Sequence, residues 1–245
     1  MISKIFKIEC LTNLHVGNGD ANFSIIDNEV ERDSVTGYPT INSSGVKGAL
    51  KEHLKCKGWN KLEEAFGGEG DMKQGNIKFL SANMLAVPMR VSSGNDPYAL
   101  VTTEAAVMLF NKLNEELKCG AAKINTSGNG SQIEVEGKTC PLTAGLGGVG
   151  ITSAAVMKSD DFKSVSLPVV ARNRLENGKS ENLWYEEIVP HESVFTFAVI
   201  TNDDQKELLK ELAKMITEEP VQFGGNATVG CGLCKITETG GGLNE

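Results

Sequence analysis

Three lysines at helical spacing, a glycine-rich loop, a basic hairpin and one aspartate are the residues in this chain best placed to do chemistry. Lys47, Lys51 and Lys55 recur every four positions, so on a helix they share one face. Like charges at that spacing repel by about a few tenths of a kcal/mol per pair. Such a stripe reads either as a solvated face or as a track for an anion. Ser43, Ser44 and Gly45 precede it. They offer hydroxyls and backbone N–H groups at the positive end of a helix, where phosphate binds readily. The run Phe223-Gly224-Gly225-Asn226-Ala227-Thr228-Val229-Gly230-Cys231-Gly232 has four glycines in its last nine positions. Glycines permit φ > 0 and close backbone approach, and free N–H groups in such a loop can hold phosphate. It is neither a P-loop, since no Gly-Lys-Ser/Thr follows, nor a GxGxxG fingerprint; its ordinary reading is a turn. Arg172, Arg174 and Lys179 flank Asn177-Gly178, a strong hairpin-turn signal, and put positive charge on a protrusion. Asp27 ends the apolar run Phe23-Ser24-Ile25-Ile26, where a carboxylate could bind a cation or accept a proton; many surface aspartates look the same.

Other candidates are weaker. His15 reads as a loop or core histidine, and Trp184-Tyr185 as core or interface aromatics that could also stack on bases. Cys231-Gly232-Leu233-Cys234 is a CxxC without the second ligand pair that a structural zinc requires, so free thiols are expected. The six cysteines are scattered, which fits a reducing, cytoplasmic compartment. The N-terminus alternates polar and apolar residues and lacks the long apolar run of a signal peptide, and no stretch of about 18 apolar residues exists to span a membrane. The 245 residues carry a formal net charge of −8 with 40% hydrophobic residues, a globular composition able to bury a core. That acidity argues against a free-standing nucleic-acid binder, whose footprint is basic.

As for the elements that must hold these residues, period-two alternation over residues 2–12 predicts a strand, with Phe6, Ile8 and Cys10 on one face. Residues 13–20 read as loop and 23–26 as a short strand. A helix opens at Ser43-Ser44-Gly45 with serine as its cap and an apolar stripe of Val46, Ala49, Leu50, His53 and Leu54. A second covers residues 59–66, and a third 103–117. Strands are expected at 77–88, 165–170 and 194–201. The clearest helix spans 203–216, with Leu208, Leu209, Leu212, Ala213 and Ile216 buried. Residues 121–150, rich in Gly, Ser and Thr, are expected to be loops. The order at the two ends is that of a βαββαβ core with the middle inserted. No linker or repeat divides the chain.

Several segments together resemble a known family. Pro39-Thr40-Ile41-Asn42-Ser43-Ser44-Gly45-Val46-Lys47-Gly48-Ala49-Leu50 resembles the helix-start motif of the CRISPR RAMP superfamily. Leu14-His15-Val16-Gly17 and Ile25-Ile26-Asp27 lie upstream of it. Phe66-Gly67, Met84 to Arg90, Leu183-Trp184-Tyr185-Glu186-Glu187 and the glycine loop follow in the family's order. The ordered set is similar to the repeated backbone subunit of the type III-B CRISPR effector and spans nearly the whole chain, most weakly at 121–150. The resemblance implies an α+β fold: a modified ferredoxin-like, RRM-like palm over residues 1–245, with a loop-rich insertion near 119–150 and a protruding β-hairpin thumb near 165–185. It implies copies stacked along a guide RNA, complementary target RNA paired to that guide, and other type III-B subunits as partners, with no membrane. It implies cleavage of the target beside each thumb, with Asp27 as catalytic residue and as ligand of a divalent cation of the Mg or Mn class. It places RNA contacts at Ser44, Lys47, Lys51, Arg172, Arg174, Gly224, Gly225, Gly230 and Gly232. Asn42 and Ser43 replace a usual Pro-Gly, Gly45 a usual Ser, and Ala227 an acidic residue. Avidity along a filament removes the need for each acidic copy to be basic overall, and base pairing carries sequence recognition, as in other guided effectors. Rival readings are a binding-only subunit of the same filament, a standalone endoribonuclease that processes guide precursors, which the negative charge disfavours, and an α+β oligomer unrelated to CRISPR.

Overall fold

The computed structural model describes residues 1–19, 25–68 and 73–240. Strand β1 (Ile2–Cys10) leads through an irregular segment and β2 (Thr40–Ile41) to helices α1 (Ser43–Cys56) and α2 (Leu62–Phe66). Strands β3 (Lys78–Phe79), β4 (Ala82–Ser93) and β5 (Tyr98–Thr103) precede α3 (Glu104–Glu116). The inserted region continues with β6 (Gly128–Val135), β7 (Lys138–Thr143), β8 (Ala154–Met157), α4 (Ser159–Ser164), β9 (Val169–Glu176) and β10 (Lys179–Glu187). The chain ends with β11 (Val194–Thr201), α5 (Lys206–Glu218), β12 (Val221–Gln222) and β13 (Leu233–Thr239).

The central strands lie in the order β13-β1-β11-β4, all antiparallel neighbours. With α1 following β1 and α5 following β11, this is the split βαββαβ arrangement, and the fold is α+β with a ferredoxin-like palm. β1 sits between β11 and β13, so both its edges are paired, and Ile5 is buried as well as Phe6, Ile8 and Cys10. Even Lys4 is buried; its ammonium is neutralised by Glu238 at 2.6 Å on the neighbouring strand. Phe6 stacks on its cross-strand partner Phe197 at 5.3 Å. Helix α1 buries Val46, Leu50 and Leu54, and α5 buries the whole apolar stripe expected of it. The two helices pack together against the β12–β13 edge.

The remaining strands extend the sheet beyond β4 through β5, β8, β7 and β6. Here the expectation of loops over 121–150 is corrected, because β6 and β7 form a hairpin. Its turn is Glu136-Gly137, both with positive φ (48° and 72°), the two-residue geometry whose twist matches paired strands. Residues 59–61 do not join α2; Trp59 is instead buried just ahead of it. Of the short strand expected over 23–26, residues 23 and 24 lie outside the described residues, and Ile25 and Ile26 are not in a strand. The α1 cap also differs. Asn42 is the N-cap and its side chain makes no capping bond; Ser43 N–H donates instead to Ser81 Oγ at 3.1 Å, so the start of α1 is tied to the turn before β4.

β9 and β10 stand apart as a two-stranded sheet, turned by Asn177 (φ 50°) and Gly178 (φ 79°). Directly opposed residues share a face. Val169, Ala171, Asn173 and Leu175 therefore line one face with Leu183, Tyr185 and Glu187, while Arg172 and Arg174 line the other with Trp184 and Asn182.

Candidate functional site

At the end of the palm where β1 stops and β11 and β13 start, four segments meet: residues 11–17, residues 27–32, the base of the β9–β10 hairpin and the glycine loop. Leu14 and Val189 exchange both backbone bonds at 2.8 Å. Glu31 N–H then donates to Val16 O (2.7 Å), and Thr40 N–H to Glu31 O (3.0 Å). These short rungs carry the sheet-like pairing from the His15 segment across the Asp27 segment to the residue pair that enters α1.

Asp27 is exposed, yet it is held at two points by one residue of the hairpin. Its N–H donates to Tyr185 O (3.0 Å), and its Oδ2 accepts from Tyr185 N–H (2.8 Å). Oδ1 has no protein partner among the described residues. Asn28 continues the contact, forming a parallel bridge with Glu186, and Glu187 N–H donates to Asn28 O at 2.9 Å.

Two consecutive carboxylates tie the hairpin base down. Glu186 is buried and accepts from Trp184 Nε1 (2.8 Å), Asn226 Nδ2 (2.9 Å) and Arg172 Nε (3.1 Å). Burial pushes its carboxyl upward, but the Trp184 indole and the Arg172 guanidinium outweigh that and hold it below the ordinary carboxylate value. Burial likewise opposes the charge on Arg172, and Glu186 with the Cys231 sulfur at 3.5 Å more than offsets it. Glu187, also buried, accepts from Val30 N–H (3.1 Å) and from Arg32 Nη2 (2.5 Å). Its carbonyl lies 2.8 Å from His15 Nδ1. A carbonyl only accepts, so His15 Nδ1 carries a proton and is the donor in this bond. Gly17 lies close beside that ring: a Cβ there would come within 3.2 Å of His15 Nε2, so the ring would have to give by a few tenths of an ångström.

The glycine loop needs its glycines for reasons internal to the protein. A Cβ on Gly224 (φ +67°) would fall 2.2 Å from His15 O, and one on Gly232 (φ +85°) 2.0 Å from Phe223 O. Gly225 N–H donates to His15 O, Gly230 N–H to Ala227 O and Gly232 N–H to Asn13 O, all within 3.0 Å. The expected cradle of free N–H groups is thus not what Gly225, Gly230 and Gly232 present. Gly225 and Gly230 do face open space, where a ligand's surface could approach.

The basic residues divide by exposure. Arg172 is committed to Glu186 and Cys231 at the hairpin base, while Arg174 is exposed and pairs across the hairpin with Glu181 at 3.1 Å. On α1, Ser44 and Lys55 are exposed and Lys47 and Lys51 half-buried; among the described residues Lys47 and Lys55 pair with no carboxylate. A cleft of about 350 Å³ lies below the hairpin, lined by Asn13, Arg172, His191 and Cys231 among others. Cys234 Sγ lies 3.9 Å from Cys10 Sγ and Cys231 Sγ beside Arg172, so the two thiols of the CxxC have different neighbours. Among the described residues no group of three or more His, Cys, Asp or Glu side chains could hold a metal ion. Those residues alone therefore build no cation site around Asp27.

Glu186, Glu187 and Asn226 lie inside motifs quoted from the sequence but receive no role there, and Arg32 lies in none. Their signal was present as Glu186-Glu187 running straight into apolar Ile188-Val189, a pattern in which carboxylates are drawn into the interior and must be paired.

Residues 7–235 match the family model of the RAMP superfamily, and the chain belongs to that superfamily. Its relatives include the CRISPR system Cmr endoribonuclease Cmr4 of Pyrococcus furiosus, 26% identical over 93% of this chain and 92% of that protein. The CRISPR system CMR subunit Cmr4 of Saccharolobus solfataricus is 30% identical over 51% of this chain and 42% of that one. Among solved structures, a subunit of the type III-B Cmr-beta complex in its apo state superposes with a TM-score of 0.81 at 21% identity, covering 97% of both chains. Oligomeric Cmr4 from Pyrococcus furiosus superposes with 0.72 at 21% identity, covering 98% of both.

Proposed function

We propose that this chain is the repeated backbone subunit of a type III-B CRISPR effector: copies stack along a guide RNA, and each cleaves the paired target RNA at Asp27. What carries the reading is an exposed carboxylate clamped to the base of a protruding hairpin, in a chain similar over nearly its full length to a Cmr endoribonuclease. The fold recurs in the Cmr-beta complex bound to cognate target RNA, with a TM-score of 0.78. No helix among the described residues is long and apolar enough to cross a membrane.

The proposed division of labour follows the geometry. Lys47 and the start of α1, with Ser44 and Lys51 beside them, hold guide phosphates. Arg174 at the exposed hairpin meets the target strand, while Arg172 stiffens the hairpin base. Bending of the target by the hairpin places a ribose 2′-hydroxyl in line with the adjacent phosphorus. Asp27 takes the hydroxyl proton, the 2′-oxygen bonds to phosphorus, and the 5′-oxygen leaves with the strand. Asp27 would be this chain's residue for holding a divalent cation of the Mg or Mn class, with the remaining ligands drawn from RNA and solvent, and the cation would neutralise charge developing on the phosphate.

The second reading, a binding-only subunit, is favoured by the bond from Tyr185 N–H to Asp27, which a purely structural carboxylate would also make. Asp27→Asn separates the two in the assembled complex. Assembly and target binding intact, with cleavage reduced at least about a hundredfold at every interval, supports the proposal. Full-rate cleavage refutes it, and lost assembly makes Asp27 structural.

A further inference from the structure

Glu187 touches both the Asp27 segment and the His15 segment, and it does so with backbone and side chain at once. Its N–H holds Asn28 O, its carbonyl receives His15 Nδ1, and its carboxylate binds Val30 N–H and Arg32. Two residues earlier on the same strand, Tyr185 holds Asp27 itself. The Asp27 segment is thereby added as a parallel neighbour to the end of β10, the descending strand of the hairpin, through the Asn28–Glu186 bridge. On the other side, that segment is tied to the His15 segment through the Gly17–Val30 bridge. Glu187 is the residue common to both attachments.

We infer that Glu187 is a positioning residue for the reaction at Asp27: its buried carboxylate locks the Asp27 segment to the hairpin, so the hairpin's seat on RNA sets where the Asp27 carboxylate stands. Three observations carry this beyond ordinary packing. First, a carboxylate on a side chain only 7% exposed is costly to bury, and here its charge is directed wholly at residues 30 and 32 of the segment carrying Asp27. Second, Glu186 does the complementary work on the same strand: it binds Arg172, Trp184 and Asn226 and so fixes the hairpin to the glycine loop rather than to Asp27. Third, Arg32 also donates to Gly37 O at 3.2 Å, which extends the clamp toward the stretch that enters α1.

The inference rests on the reading of Asp27 as the cleaving group, and the test separates the two. Glu187→Gln keeps the shape and one acceptor oxygen but loses the charge facing Arg32, and sets an NH₂ against one of the two donors. In the assembled complex, single-turnover cleavage of saturating target RNA is expected to slow about tenfold or more, the scale of a small misplacement of reacting groups. Target affinity is expected to stay within about twofold, since nothing in this pairing calls for Glu187 to touch RNA. Asp27→Glu, which already displaces the carboxylate by a methylene, should be slowed little further by adding Glu187→Gln, because the second change acts through the first. Arg32→Ala, at a half-exposed side chain, tests the clamp from its other end and should slow cleavage in the same sense with binding unchanged. Independent, multiplicative effects of Glu187→Gln and Asp27→Glu would overturn the inference. So would unchanged single-turnover cleavage in Glu187→Gln and Arg32→Ala, or a loss of assembly in both. Failure of the underlying reading looks different: Asp27→Asn would then cleave at full rate.

Discussion

Replacing Glu186 with glutamine probes how firmly the hairpin is seated. One carboxylate oxygen accepts from both Arg172 and Asn226, and the other from the Trp184 indole. Glutamine can keep its oxygen where the first two donors converge, but its NH₂ then confronts the indole N–H. One buried donor loses its acceptor and Arg172 loses its counter-charge. An unsatisfied buried group costs about 1–3 kcal/mol, and the half-covered Arg172 recovers part of its loss from water. For a chain of this size each kcal/mol lowers the melting temperature by about 2–4 °C, so a fall of several degrees is expected in thermal unfolding of the purified subunit. The pH dependence gives an independent check. Glu186 titrates lower in the folded protein than its ordinary value, so its stabilisation is fully present above the unfolded-state carboxylate pKa and is lost as pH falls through the folded one. Glu186→Gln should therefore flatten the acid limb of the stability curve, below about pH 4.3. Glu181→Gln is the control: its pairing with Arg174 is exposed on both sides, and exposed pairs contribute about 0–1 kcal/mol. Equal melting temperatures and equal acid limbs for Glu186→Gln and the parent would refute the idea that this network holds the hairpin.

Lys47→Ala should weaken guide RNA binding, and the slope of log affinity against log salt should shrink by about 0.7 for each phosphate no longer neutralised; an unchanged slope would remove Lys47 from the phosphate track. Gly224→Ala should destabilise the fold without any RNA present, because its φ is positive and the new methyl carbon would meet His15 O; an unchanged melting curve would show that the loop can shift to admit it.

Elements with strong local periodicity were legible in the sequence. The α5 stripe and β11 appear where their patterns place them, and the hairpin turns where Asn177-Gly178 announces it. The β6–β7 hairpin was not legible, because Gly128, Ser131 and Gln132 carry no apolar alternation and Glu136-Gly137 is a less familiar dipeptide for a turn with two positive φ angles. The start of α1 was read at the right residues, but its capping donor and acceptor come from Ser43 and a distant Ser81, which spacing cannot show. Asp27 and Lys47 stood out through family resemblance. Glu186 and Glu187 belong to a family motif but carry no role there, because their meaning lies in Arg172, Asn226, Val30 and Arg32, partners brought to them only by the fold. The glycine loop looked like a ligand cradle in sequence; in three dimensions Gly224 and Gly232 answer first to the crowding of neighbouring carbonyls.

The two ladders of β1 carry a consequence for how the chain is made. Ile5 pairs with Ala198 on one side and Thr239 on the other, so β1 leaves the ribosome nearly two hundred residues before either of its partners. Until then a strand bearing Ile2, Ile5, Phe6 and Ile8 has both edges open, the kind of segment that pairs with the wrong chain. The β6–β7 and β9–β10 hairpins close locally, on a scale of about microseconds, and can stand as preformed pieces while the palm waits. The palm is thus completed by its C-terminal strand, and a nascent chain stalled before β13 would hold finished hairpins around an unfinished sheet.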